Sequence, residues 1–278
     1  MTANATTSAG TTTSTLSAPT FAPSPAPLTG PAGVLFGRLL RAELRKLTDT
    51  RSGRWLLIVV MALTPIIDVV MLAVAKPQSL TYAEFVDVTQ SPQKVLLPLL
   101  GLLSVTTEWS QRTGLVTFTL EPDRMRVLRA KFAATLLLGL AVIAVALAAA
   151  AVCNLLGSTL RHSDGSWAFG VSGFRDILIL QASGLVEGLA FGMLLLVSAA
   201  AIVGFFVLPF LSTLLFSSVA ALKGVSGWLD LNSAQDPLYK HDITGGGWAQ
   251  LAVAVLIWVA LPTAAGVLRV RRGEIKSG

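Results

Sequence analysis

The sequence predicts an all-α polytopic membrane protein with six transmembrane helices and an amphipathic helix before the first of them. Of the 278 residues, 53% are hydrophobic and 13% are charged, about half the charged share of a typical soluble domain. The mean hydropathy is +0.71, and several uncharged apolar segments reach the ~20 residues that a helix needs to cross a bilayer. These observations exclude an ordinary water-soluble enzyme.

Residues that usually bind metals or form disulfides are scarce. Cys153 is the single cysteine and lies within an apolar segment, which excludes a disulfide framework and a zinc site of the C-x-x-C type. The only histidines are His162 and His241. We therefore expect no metal site and no cofactor bound by this chain.

The first 30 residues are rich in Ser, Thr, Ala and Pro and contain no charged residue. They lack the basic and apolar regions of a secretory signal. They also cannot bury enough apolar surface to offset the entropy lost on ordering. Residues 1–30 are therefore predicted to form a disordered cytoplasmic tail.

Residues 31–54 are predicted to form an amphipathic helix that lies in the membrane interface. Four apolar side chains recur at helical spacing, and basic side chains occupy the flanking faces. The apolar set is Phe36, Leu40, Leu44 and Leu47, and the basic set is Arg38, Arg41, Arg45 and Lys46. Trp55 follows directly and suits an interfacial anchor. A helix packed on a soluble partner is the alternative.

Six spans are predicted, at about residues 55–75, 90–107, 132–156, 177–197, 201–222 and 248–268. In the second span, only residues 95–105 are continuously apolar. A helix long enough to cross the bilayer must also include Lys94, whose side chain would snorkel outward. The stretch 177–222 would be roughly 69 Å long as one helix, more than twice a ~30 Å hydrocarbon core. It must therefore turn once, and we expect the turn near residues 198–200.

The positions of Lys and Arg predict the orientation. If both termini lie on one side, that side carries 15 of the 21 Lys and Arg residues, in the 38–54 helix, the 108–131 connection and the basic tail at 269–278. The positive-inside rule places this side in the cytoplasm. Without the second span, the first two of these regions would face opposite sides. The basic charge thus reflects membrane orientation, and nucleic acid is not an expected partner.

The cytoplasmic connection at 108–131 is longer than a link between two spans requires. It combines charges of both signs with an apolar patch, as a docking surface would. The patch consists of Leu115, Val116, Phe118 and Leu120. Pro122 and Asp123 suit the start of a helix that leads into the third span. The alternative is a solvated loop that only sets the topology.

Short motifs in this connection and near the C-terminus carry a resemblance to a known family. They are E-W-S-Q-R-T-G at 108–114, T-F at 117–118, P-D-R at 122–124, V-L-R-A-K at 127–131, W-A-Q-L at 248–251 and W-V-A-L-P-T-A-A-G-V-L-R-V-R-R at 258–272. Together with six spans and the amphipathic helix, they resemble the permease subunit of bacterial type 2 ATP-binding cassette (ABC) exporters. The resemblance covers about residues 34–272.

This resemblance implies a multi-pass subunit of the bacterial inner membrane that forms a substrate path with a second permease copy or homologue. It also implies that the 108–131 segment couples the chain to an ATPase subunit. The sequence has no phosphate-binding G-x-x-x-x-G-K-[ST] loop. ATP is therefore expected to be used by a separate ATPase chain, and this chain is not expected to be an enzyme. The implied coupling residues are Glu108, Arg112, Thr113, Phe118, Leu120, Pro122, Arg124, Arg126, Arg129 and Lys131.

Two ionisable residues fall within predicted spans, Asp68 in the first and Glu187 in the fourth. A charge at the bilayer centre costs about 2.5–3.5 kcal/mol on insertion scales, so such a residue usually faces a cavity or a partner. Both residues are candidates for lining a translocation path. A structural hydrogen bond to a neighbouring group is the alternative for each.

Three glycines, Gly184, Gly188 and Gly192, lie four residues apart in the fourth span. Small residues at this spacing allow two helices to approach closely. We expect them to serve packing within the chain rather than the contact between two permeases.

Two other functions stay open on the sequence alone. One is a non-transport membrane protein, such as an anchoring or immunity factor, which needs no ATPase. The other is half of a proton-coupled secondary transporter that works through Glu187. Inverted repeats would favour the second, and the sequence has no convincing internal self-similarity.

Overall fold

The computed structural model describes residues 1–2, 35–110 and 123–272, and every regular element within them is helical. Five helices are long and apolar enough to cross a membrane. They are Arg51–Val74, Arg124–Leu160, Gly170–Leu195, Ser198–Ser218 and Gly245–Arg272. The predicted tail from residue 3 onward, the middle of the predicted coupling segment at 111–122 and the last six residues lie outside the described residues.

The first two described helices are α1 (Phe36–Asp49) and α2 (Arg51–Val74), separated by Thr50. Thr50 has extended backbone angles, and its hydroxyl caps α2 by accepting a hydrogen bond from the backbone N–H of Gly53. A hydroxyl at this position satisfies one of the unpaired N–H groups of a first turn. The single extended residue ends α1 and lets α2 start in a new direction.

The buried face of α1 differs from the predicted apolar stripe. Leu39, Glu43 and Leu47 are buried, whereas Leu40 and Leu44 are only partly buried. Phe36, the first residue of the predicted stripe, is exposed. The face is rotated because α1 packs on another helix of the chain, where Leu39 joins Val127 and Ala130.

The third helix, α3 (Tyr82–Ser110), contains the predicted second span and lies at the centre of the bundle. Its 29 residues extend about 43 Å at 1.5 Å per residue. It carries several charged and amide side chains, so it is not among the five apolar helices. Two of them, Gln90 and Gln93, are buried against neighbouring helices.

Three further long helices follow, α4 (Arg124–Leu160), α5 (Gly170–Leu195) and α6 (Ser198–Ser218). Asp123 caps α4 as the sequence predicts, since its carboxylate accepts from the backbone N–H groups of Met125 and Arg126. The turn between α5 and α6 lies at residues 196–197, slightly before the predicted 198–200. It falls there because Leu196 adopts a left-handed conformation with φ of 60° and Ser198 already begins α6.

A short 3₁₀ segment and one helical turn connect α6 to α7 (Leu231–Tyr239). The last helix, α8 (Gly245–Arg272), contains a π-helical segment at Leu256–Ala260. Trp258 in this segment donates its indole N–H to the backbone oxygen of Leu229 at 2.8 Å. The connection before α7 is thereby attached to α8.

Contacts between helix ends define the two ends of the bundle. Arg161, after α4, donates to the backbone oxygens of Leu72, Ala73 and Ala75, where α2 ends. The backbone N–H of Tyr82, at the start of α3, donates to Ser166. We call the end of the bundle at which α2 and α4 end and α3 begins the α7 end, and we call the opposite end the α1 end. Helix α3 therefore runs antiparallel to α2 and α4 along the bundle.

Glycines allow α3 and α5 to pack closely. A Cβ atom at Gly188 would lie 2.0 Å from the backbone oxygen of Pro98, and one at Gly192 would lie 2.8 Å from that of Leu102. At Gly184 the nearest atom would be the Cγ of Pro98, at 3.1 Å. All three glycines of the predicted packing stripe thus face α3.

The outward faces of the long helices are apolar. Ile66, Val69 and Val70 on α2 are each more than half exposed, and Phe210 on α6 is 64% exposed. Polar side chains such as Gln93 lie inside the bundle. This distribution is the inverse of a water-soluble protein and is compatible with a multi-pass membrane protein.

Candidate functional site

Four charged side chains form a connected cluster at the α1 end, which we call the four-charge cluster. Lys46 of α1 lies 2.6 Å from Glu43 and 2.6 Å from Glu108 at the end of α3. Lys131 of α4 lies 2.6 Å from the other oxygen of Glu43 and 3.2 Å from Glu108. Lys131 also donates to the backbone oxygen of Ser104. Among the described residues, two carboxylates and two ammonium groups are thus paired across α1, α3 and α4.

Burial makes this cluster energetically significant. The side chains of Glu43 and Lys131 are 2% and 5% exposed. Burial alone would raise the pKa of Glu43, but the charges of Lys131 and Lys46 hold that pKa below its ordinary value. Burial would likewise lower the pKa of Lys46, but Glu43 and Glu108 raise it above its ordinary value. The charged forms of Glu43 and Lys46 are therefore each stabilised by neighbours of opposite charge.

The four-charge cluster joins the two helices that flank residues 111–122. Glu108 lies in the last turn of α3, and Lys131 lies in the second turn of α4. Both bind α1, so α1, α3 and α4 are tied together where the chain enters and leaves this segment. A cavity of about 200 Å³ adjoins the cluster and is also lined by Thr50 and Leu100.

The other predicted coupling residues lie in different places. Arg124 donates to the backbone oxygens of Val270 and Arg271, which holds the start of α4 against the end of α8. Arg126 is partly buried and Arg129 is exposed. Five lie outside the described residues, namely Arg112, Thr113, Phe118, Leu120 and Pro122.

A second site is a cavity of about 300 Å³ between α3, α5, α6 and α7, which we call the Glu187 cavity. Glu187 lines it and is 5% exposed. Its Oε1 atom has no hydrogen-bond partner among the described residues. The aromatic part of the wall consists of Phe205, Phe206, Phe210 and Tyr239.

The polar groups that surround Glu187 in this cavity bind one another. Gln181 donates to Gln90, and Gln235 donates to the hydroxyl of Ser183 at 3.0 Å. Asn232 donates to the hydroxyl of Thr213 at 3.1 Å. At the rim, the ammonium of Lys94 lies 4.2 Å from the ring centroid of Tyr239. Lys94 is thus directed to an aromatic face at the α7 end.

Asp68 does not line the Glu187 cavity. It is completely buried in α2 and interacts electrostatically with Cys153 of α4. Both of its carboxylate oxygens lack a hydrogen-bond partner among the described residues. The structure therefore places the two candidate path residues in separate parts of the bundle.

A third polar group lies at the α7 end. One ring nitrogen of His241 lies 3.2 Å from Asp87 of α3, and the other lies 3.3 Å from Asp176 of α5. Arg175 lies 2.7 Å from Asp176 and stacks on Trp248. These contacts attach the connection between α7 and α8 to α3 and α5. Among the described residues, no group of three His, Cys, Asp or Glu side chains is arranged to hold a metal ion.

Sequence reasoning missed the roles of Glu43 and Tyr239. Glu43 had a visible signal, since it is the acidic residue at i+4 from Leu39 and i−4 from Leu47 on the face that α1 buries. An acid on such a face requires a cationic partner. Tyr239 had no comparable signal, because its place beside Glu187 depends on how α7 folds back on the bundle.

No family model matches the sequence, and no curated protein matches it.

Proposed function

We propose that this chain is the transmembrane permease subunit of an ATP-driven ABC exporter of the bacterial inner membrane. It acts with a second permease copy or homologue and with a separate ATPase subunit. The observation that carries the proposal is the four-charge cluster, which ties α1 to both helices that flank the 111–122 segment. A partner that pushes on this segment acts on three helices together.

The proposal includes six crossings, with α3 as the second. Helix α3 is longer than the ~30 Å hydrocarbon core and runs antiparallel to α2 and α4 between the two ends of the bundle. Gln90 and Gln93, in its middle, are shielded from lipid by the surrounding helices, which removes the main cost of placing these two amides in a membrane. With α3 counted, both termini lie on one side, and the positive-inside rule makes that side the cytoplasm.

In this arrangement α1 is the amphipathic helix of the cytoplasmic interface. Arg38, Arg41 and Arg45 are exposed on it, while its opposite face packs on α4. Basic side chains at this level favour contact with anionic headgroups. The helix thus attaches the four-charge cluster to the membrane surface.

ATP is used by the partner, because the sequence has no phosphate-binding loop. The 111–122 segment supplies Phe118 and Leu120 as apolar contacts, and Arg112 supplies charge complementarity. Closure of an ATPase dimer against this segment would tilt α1, α3 and α4 as one unit. The Glu187 cavity lies beside α3 and between α5 and α6. Such a tilt would therefore change this part of the substrate path.

Co-purification tests the proposal. The full chain, extracted from its native membrane in mild detergent, is expected to retain an ATPase that contains a phosphate-binding loop. The double variant Phe118→Asp, Leu120→Asp is expected to remain in the membrane but to lose this partner and its ATP hydrolysis. A matched control is Val225→Asp, Leu229→Asp, which adds the same charges to exposed positions at the α7 end.

Two results would contradict the proposal. Wild-type chain that retains no ATPase would refute an ABC permease. Full ATPase retention by the Phe118→Asp, Leu120→Asp variant would show that another surface couples the subunits.

A proton-coupled transporter is the second candidate, favoured by the unpaired oxygen of Glu187 and by the histidine between two aspartates at the α7 end. Purified chain in liposomes without an ATPase distinguishes the two. Substrate uptake driven by a pH gradient alone would favour the proton-coupled function.

A further inference from the structure

We propose that the Glu187 cavity binds an organic cation with an aromatic or otherwise apolar body. The inference rests on the proposed function in one respect, that it treats this cavity as part of a substrate path. It adds the chemical class of the ligand, which the cavity itself indicates.

The size and wall of the cavity fit a small organic molecule. Its volume of about 300 Å³ lies at the lower end of the range usual for ligand pockets. Most of the wall is apolar, with Phe205, Phe206, Phe210 and Tyr239 contributing aromatic rings. Aromatic faces attract cations through their electron-rich π systems, and more strongly when water is excluded.

The carboxyl group inside the cavity has no cationic partner among the described residues. Glu187 is almost completely buried, and its Oε1 atom has no hydrogen-bond partner among the described residues. No Lys, Arg or His of the described residues lies within ion-pair distance of it. Ionising a buried carboxyl group without a partner is costly, so a cation that enters the cavity supplies an interaction that no described residue provides.

Lys94 is the other charged residue of the wall, and its surroundings differ from those of Glu187. Its ammonium lies over the ring of Tyr239 and interacts with the carboxylate of Asp236. An organic anion would have to draw Lys94 away from both groups. The contact also demonstrates that Tyr239 presents a face on which an ammonium group can rest.

The remaining polar groups argue against an inorganic cation. Among the described residues of the wall, Glu187 is the one carboxylate, and the amide groups of Gln181, Gln235 and Asn232 are fixed by the hydrogen bonds that their NH2 groups donate to Gln90, Ser183 and Thr213. A hard cation such as Ca²⁺ requires six to eight oxygen ligands. One free carboxylate oxygen in an aromatic wall suits an ammonium or pyridinium group better.

Three probes of similar shape test the inference on the full chain in lipid nanodiscs, without any ATPase. They are the cation N-methyl-4-phenylpyridinium, the uncharged 4-phenylpyridine and the anion biphenyl-4-carboxylate. Binding is measured by equilibrium dialysis, with empty nanodiscs subtracted. We expect the cation to bind about tenfold more tightly than the uncharged probe. We expect Glu187→Gln to reduce this preference to less than about twofold.

A matched control and a second variant make the test specific. Glu84→Gln makes the same substitution at an exposed position near the α7 end and is expected to leave all three affinities unchanged. Tyr239→Leu is expected to weaken the cation more than the uncharged probe. Equal affinities of wild type for the cation and the uncharged probe, a preference for the anion, or an unchanged cation preference in Glu187→Gln would each overturn the inference.

The outcomes separate this inference from the proposed function. Retention of an ATPase together with no cation preference would overturn only the ligand class. Cation binding by a chain that retains no ATPase would support the cavity and overturn the ABC permease.

Discussion

The ammonium of Lys131 lies 2.6 Å from the carboxylate of Glu43, so that α4 and α1 share a buried ion pair across 88 residues of sequence. Breaking a buried pair leaves one charge uncompensated, which typically costs about 3–5 kcal/mol, whereas replacing both partners by apolar groups is often close to neutral. The pair therefore determines how α1 is oriented on α4 more than it adds net stability.

Lys131→Met is expected to lower the free energy of unfolding in mixed micelles by about 3 kcal/mol, because Glu43 keeps only Lys46 as a partner. The double variant Glu43→Met, Lys131→Met is expected to recover most of this loss, since Lys46 and Glu108 still balance each other. A double-mutant cycle gives the coupling energy. Additive effects of the two substitutions would contradict a direct pair.

Acid is expected to destabilise the α1 end. The folded-state pKa of Glu43 is below its ordinary value of 4.5. The ionised form of Glu43 therefore stabilises the fold above pH 4.5. This contribution is lost as the pH falls through the lowered pKa that Glu43 has in the folded state. Thermal unfolding of wild type between pH 7 and pH 3 is expected to show a steeper loss than that of Glu43→Met, Lys131→Met. Parallel curves would contradict this assignment.

Gly188→Ala is expected to destabilise the bundle by about 1–3 kcal/mol, the usual cost of overpacking. The added Cβ would lie 2.0 Å from the backbone oxygen of Pro98, so α3 and α5 must move apart. Gly184→Ala is the matched control and is expected to cost less. Its Cβ would meet a ring carbon of Pro98 at 3.1 Å, which a small shift relieves. The melting temperature in detergent measures both, and an equal loss would argue against backbone contact as the cause.

Impermeant thiol labelling is expected to distinguish the two ends of the bundle. In a Cys153→Ala background, cysteines at the α7 end should react from outside intact cells, and cysteines at the α1 end should react only after lysis. The outer positions are Gln78, Asp164 and Gly224, and the inner positions are Thr48 and Ser110. All five are exposed. Labelling of Ser110→Cys in intact cells would refute α3 as a crossing helix.

Segment length and hydropathy are sufficient to predict the five apolar helices, because each contains a long apolar stretch with at most two charged residues. The preference of such a stretch for a nonpolar environment is a local property of the sequence. Helix α3 is harder to predict, since Gln90, Gln93 and Lys94 lower its hydropathy and only tertiary packing explains them. The same holds for the ion pair between Glu43 and Lys131, because no local rule relates positions so distant in the sequence.

Glu187 illustrates the limit for the candidate site. A carboxylate in an apolar segment indicates a cavity or a partner, and the structure places Glu187 on a cavity wall. The aromatic surroundings come from α6 and α7, whose positions depend on the turn at Leu196 and on the attachment of the α7 connections. Local patterns at those residues do not determine how the two helices meet Glu187.

The central position of α3 has a consequence for biogenesis. In the six-span arrangement, α3 leaves the ribosome before α5, the helix that covers Gln90 and Gln93 and packs on Pro98. Until α5 has been made, these amides have no partner in the bilayer, and α3 on its own is a poor substrate for insertion. Helix α3 would thus remain at the translocon or the membrane surface until α5 arrives. A ribosome-stalled chain that ends after α4 is expected to show α3 outside the bilayer, and one that extends past α5 to show it inserted.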